Sequence, residues 1–278
     1  MLTTRIALIS LSQEVSLSQL HHVAAALQIQ ATRDVAPVWS VQATVAAFEA
    51  GQLPAGFWPV VVTDRFQTPG HGLHISQRDG SPMAFVRPSA SWSLTASHEM
   101  IEMIVDPWGR RTEPGRSWED GQGQVDYLVE ACDPCQGGDF AYTIDGVLVS
   151  DFVTPHFYDP FQTAGARYSQ RGHVQAPRTI LKKGYLSWRV PSTGDIWQRK
   201  WDGDQPFNKR LGHAEFTSVL SMRAWIDEQT PLDELVDGLD PNAEPLSYAA
   251  RWFEDAAETA RVRGARLLEE IAYLSKRG

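Results

Sequence analysis

Residues 91–109 read SWSLTASHEMIEMIVDPWG, a stretch that predicts one buried helix with a defined end. Apolar side chains recur at helical spacing and form a stripe, made of Leu94, Ile101, Ile104 and Val105. Ser93 or Thr95 can cap the first turn, so we expect the helix to cover about residues 93–105. It must end just before Pro107, because the residue that precedes a proline avoids the helical conformation. The stretch therefore places a group of polar side chains on a helix that packs into a core.

The polar side chains of this helix differ by one residue from the zinc-peptidase signature His-Glu-x-x-His. Positions four apart lie on one helix face, so His98 and Glu102 can point at one ion. Glu99 is rotated by about 100° from His98 and is the candidate general base for an attacking water. Asp106 lies about 12 Å further along the axis than His98, and we expect it to support the site from outside the ligands or to cap the helix. The pattern indicates a metal centre in which a glutamate replaces the second imidazole.

The residues before this helix contain both strand and helix patterns. An amphipathic helix, with Ser16 or Ser18 as its cap, is predicted to follow the first strand. Short runs rich in β-branched residues predict the strands. These strands are RIALIS (5–10), VWSVQATVAAFEA (38–50), LPAGFWPVVVTD (53–64), the segment Leu73–Ile75, and MAFV (83–86). Strands and helices mixed in this order predict an α+β fold.

The second half of the chain is predicted to contain further strands and then helices. Residues 109–125 are rich in glycine, arginine and acids, which predicts a surface loop. Strand patterns continue beyond this loop, with IDGV (144–147) as the turn of a hairpin. Helical patterns predominate near the end of the chain. We therefore predict one domain at 1–204 and a helical region at 205–278.

The composition limits the classes of partner and the compartment. The chain has 278 residues and a net charge of −9, which disfavours nucleic acid and anionic membranes as partners. Its first residues form no secretory pattern, and no apolar run approaches the ~20 residues of a membrane span. Its two cysteines form one CDPC, so we expect no disulfide framework. These features predict a cytoplasmic protein and leave its oligomeric state open.

The helix of residues 91–109 also resembles that of a known protein family. Together with VEACDPC (129–135) and VSDFVTPHFYDP (149–160), it is similar to a family of bacterial proteins with a zincin-like metallopeptidase fold. The family's helix carries Ser-His-Glu-x-x-Glu-x-x-x-Asp-Pro, and the resemblance spans roughly residues 5–190. It implies a zincin-like domain, to which the residue patterns add a β-rich extension and a helical C-terminal appendage. It also implies metal-dependent hydrolysis, with a peptide or protein as the substrate.

The resemblance further suggests which residues hold the ion. Zincins whose third ligand is a glutamate take it from a segment after the motif helix, which implies Glu130, 28 residues after Glu102. The metal ligands would then be His98, Glu102 and Glu130, with Glu99 as the base. One nitrogen and two carboxylates suit a divalent ion, with zinc expected and manganese or iron as alternatives.

Several other residues are candidates for the site. His156 could supply the third ligand, an imidazole, in place of Glu130. Asp106 could instead supply a carboxylate as the third ligand if the helix unwinds at its end. Tyr158 could donate a hydrogen bond to an oxyanion, although aromatic packing is an equally good explanation for it. His74 lies on the predicted strand at Leu73–Ile75 and could contact a substrate there. The third ligand thus remains open among these candidates.

The CDPC segment has a structural role in our interpretation. Cys132 and Cys135 follow a strand-like run, whereas a redox pair normally lies at a helix N-terminus in a thioredoxin-like unit. Half of a zinc-finger site without its other pair is also a weak signal. We expect two free thiols or a local cross-link.

A second function, from another class, fits the same sequence. The fold could serve as a binding or scaffolding module without catalysis. The buried carboxylates of the helix would still need a cationic partner. An arginine such as Arg110 or Arg111 could provide it in place of a metal ion.

Overall fold

The computed structural model describes residues 3–64, 72–76, 81–214 and 221–229, and within them the chain has the predicted α+β character. Five strands form the first sheet, in the spatial order β2-β1-β3-β5-β4. They are Thr4–Ser10 (β1), Ala43–Phe48 (β2), Trp58–Val62 (β3), Gly72–Ser76 (β4) and Pro82–Val86 (β5). The first four strands in this order are parallel, and β4 runs antiparallel to β5 at the edge. All the strands predicted for this part of the chain are confirmed.

The first helix, Leu17–Ile29 (α1), begins at one of the two predicted caps. The Ser16 hydroxyl accepts a hydrogen bond from the Gln19 N–H, and the Gln19 side chain accepts one from the Ser16 N–H. The helix continues through a wider π-type turn at Gln30–Val35 into Ala36–Trp39 (α2). The buried Gln30 side chain accepts a hydrogen bond from the Ser97 hydroxyl, at 2.7 Å. This bond ties the π-type turn to the helix that carries the polar motif.

The motif helix, Trp92–Val105 (α3), ends where the sequence predicts, with Asp106 as its C-cap. Its start differs from the prediction, since the N-cap position is Ser91 and no side chain caps it. The Ser93 hydroxyl instead donates to the Leu148 carbonyl, at 2.8 Å. A hydroxyl that bonds another segment of the fold is not free to bond the first turn of its own helix. The helix packs against β3, β4 and β5, which brings its polar face next to the edge of the sheet.

A second sheet of five antiparallel strands has the order β12-β11-β10-β7-β6. Its strands are Thr112–Arg116 (β6), Gln124–Leu128 (β7), Tyr185–Val190 (β10), Asp195–Asp202 (β11) and Gln205–His213 (β12). The predicted hairpin is confirmed as Tyr142–Ile144 (β8) and Val147–Val149 (β9). Its turn residues, Asp145 and Gly146, both have positive φ, as a two-residue hairpin loop requires.

The prediction of a continuous loop at 109–125 is wrong. Residues 112–116 form β6, which pairs with β7 from Thr112 opposite Leu128 to Arg116 opposite Gln124. This strand lies at the edge of its sheet, where Pro114 and Gly115 are tolerated. A polar, proline-containing edge strand has the composition of a loop, so its ladder cannot be predicted from residue types.

The prediction that helical structure begins at residue 205 is also wrong for 205–213. These residues form β12, which pairs along β11, so the predicted boundary after residue 204 falls inside a hairpin. β12 is an edge strand with many polar side chains, and the ladder with β11 stabilises it where the hydrophobic pattern is weak. Helical structure is present at Met222–Gln229 (α4), and the helices predicted after it lie outside the described residues.

A small apolar cluster holds α4 against the second sheet. Met222 and Ile226, four positions apart on one face, pack with Leu128, Ile196 and Ala214. Arg223 follows Met222 directly and is itself buried. The packing of α4 therefore places the side chain of Arg223 inside the protein.

Like the other helices of the described residues, α4 lacks the length and apolar character needed to cross a bilayer.

Candidate metal centre

The polar face of α3 contains the first two members of the centre. His98 and Glu102, one helical turn apart, come together with His98 Nε2 at 3.4 Å from Glu102 Oε1. The Glu102 side chain is 1% exposed and that of His98 is 14% exposed. Glu102 Oε1 also accepts the backbone N–H of Cys132, at 3.3 Å. His98 and Glu102 thus lie together as the helical spacing predicts, and Glu102 is the more buried of the two.

A third member comes from the turn after β7. Asp133 begins a short 3₁₀ turn at Asp133–Cys135, and its Oδ1 lies 3.1 Å from His98 Nε2. This turn packs tightly against Gly184, just before β10. A Cβ on Gly184 would lie 2.5 Å from the Pro134 carbonyl oxygen and 2.8 Å from that of Asp133. The absence of a side chain at position 184 therefore lets the turn approach the sheet and directs Asp133 towards α3.

A second imidazole reaches the same carboxylate from the edge strand. His74 on β4 places Nδ1 at 3.4 Å from Glu102 Oε2 and at 3.6 Å from Glu99 Oε2. His74 and Glu99 are both buried. Neither ring nitrogen of His74, nor Glu99 Oε2, has a hydrogen-bond partner among the described residues. Glu102 therefore lies between two histidines, one from its own helix and one from β4.

A guanidinium from α4 also contacts these carboxylates. Arg223 on α4 donates through Nη1 to Glu102 Oε2 at 2.8 Å and to Glu130 Oε1 at 2.9 Å. The same atom lies 3.9 Å from Asp133 Oδ2. All four side chains are at most 8% exposed. The acids of the centre thus have an internal cation, although it is neither Arg110 nor Arg111.

These contacts shift the protonation equilibria of the centre. Burial alone would lower the pKa of His98, but the carboxylates of Glu102 and Asp133 raise it well above the ordinary value. Burial alone would raise the pKa of Glu102, but Arg223 and His98 hold it well below the ordinary value. The pKa of His74 is lowered by burial and by Arg223, yet the two glutamates beside it outweigh both effects and raise it. Glu102 is thus ionised at neutral pH and attracts cations from three sides.

Glu130, expected as the third ligand, lies at the rim of this group. Its carboxylate pairs with Arg223 and accepts a hydrogen bond from the Ser187 hydroxyl, at 3.4 Å. Among the described residues, the two sets of potential ligand atoms that lie within 4.8 Å of one another are His98–Glu102–Asp133 and His74–Glu99–Glu102. Glu130 belongs to neither set, so the geometry favours Asp133 as the third donor beside His98.

The other residues considered for the third ligand point elsewhere. The His156 side chain is 60% exposed and pairs with Asp159 at 2.8 Å, so this imidazole lies at the surface. Asp106 accepts the backbone N–H groups of Arg110 and Arg111 and thereby organises the chain after α3, which agrees with its expected role as a cap. Neither residue is a member of the two ligand sets.

Tyr158 is buried and close to the acids, but its hydroxyl has a main-chain partner. It donates to the Leu128 carbonyl, at 3.4 Å. Burial first, and then the charges of Glu130, Glu102 and Asp133, raise the pKa of Tyr158 well above its ordinary value. The phenol therefore stays protonated, as a hydrogen-bond donor must.

The two cysteines are buried and are free thiols, which is one of the two expected alternatives; the other was a local cross-link. Burial raises the pKa of Cys132 and of Cys135 well above the ordinary value, and nearby carboxylates add to the effect. A thiol with a raised pKa is a poor nucleophile and a poor ligand at neutral pH. The segment contributes through Asp133, one of the two residues between the cysteines.

Sequence reasoning missed Asp133, Arg223 and the position of His74 inside the centre. The signal for Asp133 was present, since an acid followed by proline often begins a tight turn. Arg223 had no such signal, because a single arginine in an amphipathic helix is an ordinary surface residue in most proteins. Its burial depends on how α4 packs.

The donor set fits a divalent cation. It combines imidazole nitrogen and carboxylate oxygen, which suit zinc, manganese and iron. Buried carboxylates and imidazoles without hydrogen-bond partners are costly, and His74, Glu99 Oε2 and Asp133 Oδ2 are in that condition among the described residues. A cation bound beside such an atom would remove its cost.

The close approach of β4 to α3 yields a first prediction, for Gly72→Ala. A Cβ at Gly72 would lie 2.5 Å from Thr95 Cγ2 and would collide with Glu99 Oε1. We expect the variant to lose about 1–3 kcal/mol of unfolding free energy, because β4 must move away from the helix. Chemical denaturation measures this loss. Gly138→Ala is the control, since a Cβ there meets no atom within 4 Å, and equal losses in the two variants would contradict the prediction.

The chain was also compared with known proteins. No family model, no curated protein and no solved structure matches it.

Proposed function

We propose that the protein is a metal-dependent hydrolase with a zincin-like domain and that it acts on peptide bonds. One observation carries the proposal. The motif helix and the Asp133 turn bring one imidazole and two carboxylates to a single buried point, with Nε2 of His98 3.4 Å from Glu102 and 3.1 Å from Asp133. These three side chains would hold the ion, and Asp133 takes the place that Glu130 had in the sequence-based proposal.

The surroundings of these ligands support a hydrolytic role. A divalent ion held there would supply Lewis-acid activation of the peptide carbonyl and of the attacking water. Glu99 Oε2 is buried and has no hydrogen-bond partner among the described residues, so it can accept a proton. Tyr158 would serve an oxyanion by exchanging its bond to the Leu128 carbonyl for one to the substrate.

The first sheet supports a peptide as the substrate. In this sheet, four parallel strands and an antiparallel strand at the edge lie next to the motif helix. On the side away from β5, β4 pairs with no strand of the described residues. An extended peptide could add to this edge by backbone hydrogen bonding. His74 on β4 would place such a peptide beside Glu99 and Glu102.

Metal analysis of tag-free protein tests the proposal. We expect the native chain to bind zinc or manganese and His98→Ala to lose it, because that variant removes the nitrogen ligand. Glu99→Gln should keep the ion bound at His98 and lose turnover by roughly 10²–10⁴-fold on a peptide library, because only the base is changed. His156→Ala, which removes an exposed histidine, should behave like the native chain. A native chain that takes up neither metal would exclude the hydrolase.

The pairing of Arg223 favours a second candidate function, a binding or scaffolding module. Arg223 already bridges Glu102 and Glu130, so the acids have a cation without any metal. Bound metal without cleavage of any peptide would indicate a metal-stabilised binding protein. A metal-free chain that unfolds at the same temperature with and without added zinc would indicate that Arg223 alone holds the acids.

A further inference from the structure

The two oxygens of Glu102 face two different groups of donors. Oε1 faces His98 Nε2 at 3.4 Å and accepts the Cys132 N–H. Oε2 faces His74 Nδ1 at 3.4 Å and accepts a hydrogen bond from Arg223. A carboxylate that presents its oxygens to separate donor groups can bridge two cations, which in such sites lie about 3.5–4 Å apart.

The group on the Oε2 side has the features of a site rather than of an acidic cluster. Both ring nitrogens of His74 and Oε2 of Glu99 are buried and lack hydrogen-bond partners within the described part of the chain. His74 is 5% exposed and Glu99 is 4% exposed. Most buried polar atoms in folded proteins have a hydrogen-bond partner, so His74 Nδ1 and Glu99 Oε2, which face each other at 3.6 Å without a hydrogen bond, point to a ligand.

The charges leave room for more than one divalent ion. Within the described residues, the carboxylates of Glu99, Glu102, Glu130 and Asp133 lie around the guanidinium of Arg223. Counted over these groups, with ionised carboxylates and with imidazoles in the neutral form that binds metal, the excess is three negative charges, and one divalent ion beside His98 would still leave a net negative charge. The Oε2 side can therefore attract a second cation after the first has bound.

We propose that His74, Glu99 and the Oε2 atom of Glu102 form a second site for a divalent cation, distinct from the His98–Glu102–Asp133 site. The inference rests on the proposed function, which supplies the first ion. Arg223 shares Glu102 Oε2 with this site and repels a cation there, so the second ion binds more weakly than the first. Because the second ion occupies the carboxylate of Glu99, it removes the base, and excess metal would inhibit the enzyme.

Zinc titration of the tag-free full chain, by calorimetry and elemental analysis, tests the inference. We expect a tight equivalent and a weaker second equivalent in the native chain. His74→Gln and Glu99→Gln should each lose the weaker equivalent and keep the tight one. His98→Ala should lose the tight one. His156→Gln is the matched control, since it removes a surface imidazole that also pairs with a carboxylate, and it should keep both.

The experiment distinguishes failure of the second site from failure of the proposed function. A native chain that binds a single equivalent, or a second equivalent that survives His74→Gln, overturns the second site and leaves the proposed function intact. A chain that binds no zinc removes both proposals. If His74→Gln does not fold, Glu99→Gln and the anomalous scattering of zinc-soaked native crystals give the answer. Density between His74 and Glu102 supports the site, and its absence at saturating zinc overturns it.

Discussion

Replacement of Glu102 by alanine is expected to abolish metal binding and to lower the unfolding free energy by about 3–5 kcal/mol. Glu102 is the carboxylate that Arg223, His98 and His74 all contact, and its side chain is 1% exposed. Its loss leaves a buried guanidinium with fewer acceptors and two imidazoles facing a small void. The loss of binding is total because Glu102 belongs to both ligand sets. Urea denaturation and metal analysis measure the two effects.

A surface glutamate provides the control for this variant. Glu113 pairs with Arg111 at 3.6 Å, and both side chains are 38% exposed. Exposed pairs of this kind contribute at most about 1 kcal/mol, so Glu113→Ala should differ little from the native chain. If Glu102→Ala were as stable as Glu113→Ala and still bound metal, the central position of Glu102 in the site would be refuted.

Replacement of Arg223 by methionine is expected to have opposite effects on stability and on metal affinity. Without metal, the variant loses the cation between Glu102 and Glu130 and should be destabilised by about 3–5 kcal/mol. With zinc, a positive charge that competes for the same carboxylates is gone, and we expect affinity to rise by at least roughly tenfold. Methionine preserves most of the side chain's length, so the packing of α4 changes little.

The comparison with Arg210→Met isolates the role of burial. Arg210 pairs with Asp195 at 2.7 Å, but its side chain is 51% exposed, so this variant should keep native stability and native zinc affinity. Thermal denaturation with and without zinc, together with calorimetry, gives both quantities. If Arg223→Met bound zinc more weakly than the native chain, Arg223 would support the metal site, and competition between Arg223 and the metal ion would be refuted.

The local features of the site were predictable because they depend on neighbouring residues. The four-residue spacing of His98 and Glu102 places both on one face of any α-helix, and Pro107 disfavours helical structure at Asp106, where α3 ends. The Ser16 cap and the turn at Asp145–Gly146 are equally local. Such features need only the backbone geometry of a few residues.

The members of the site that come from distant segments were not predictable in this way. Asp133 reaches His98 because Gly184 lets its turn approach β10, and Arg223 reaches Glu102 because Met222 and Ile226 anchor α4. Each of these contacts depends on packing between segments far apart in the chain. Hydrophobic periodicity and residue spacing describe single segments, so they do not predict which distant segments pack together.

The sequence was therefore sufficient for the α+β character, the motif helix with its end, and the pairing of one imidazole with one carboxylate, since these follow from short-range backbone geometry. The contacts of Asp133, His74 and Arg223 with this pair were decided by the tertiary structure, through the approach of the Asp133 turn, β4 and α4 to the same helix. The physical reason is that a buried charge must be paired with a group that lies close to it in the folded core. Packing between distant segments decides which groups those are.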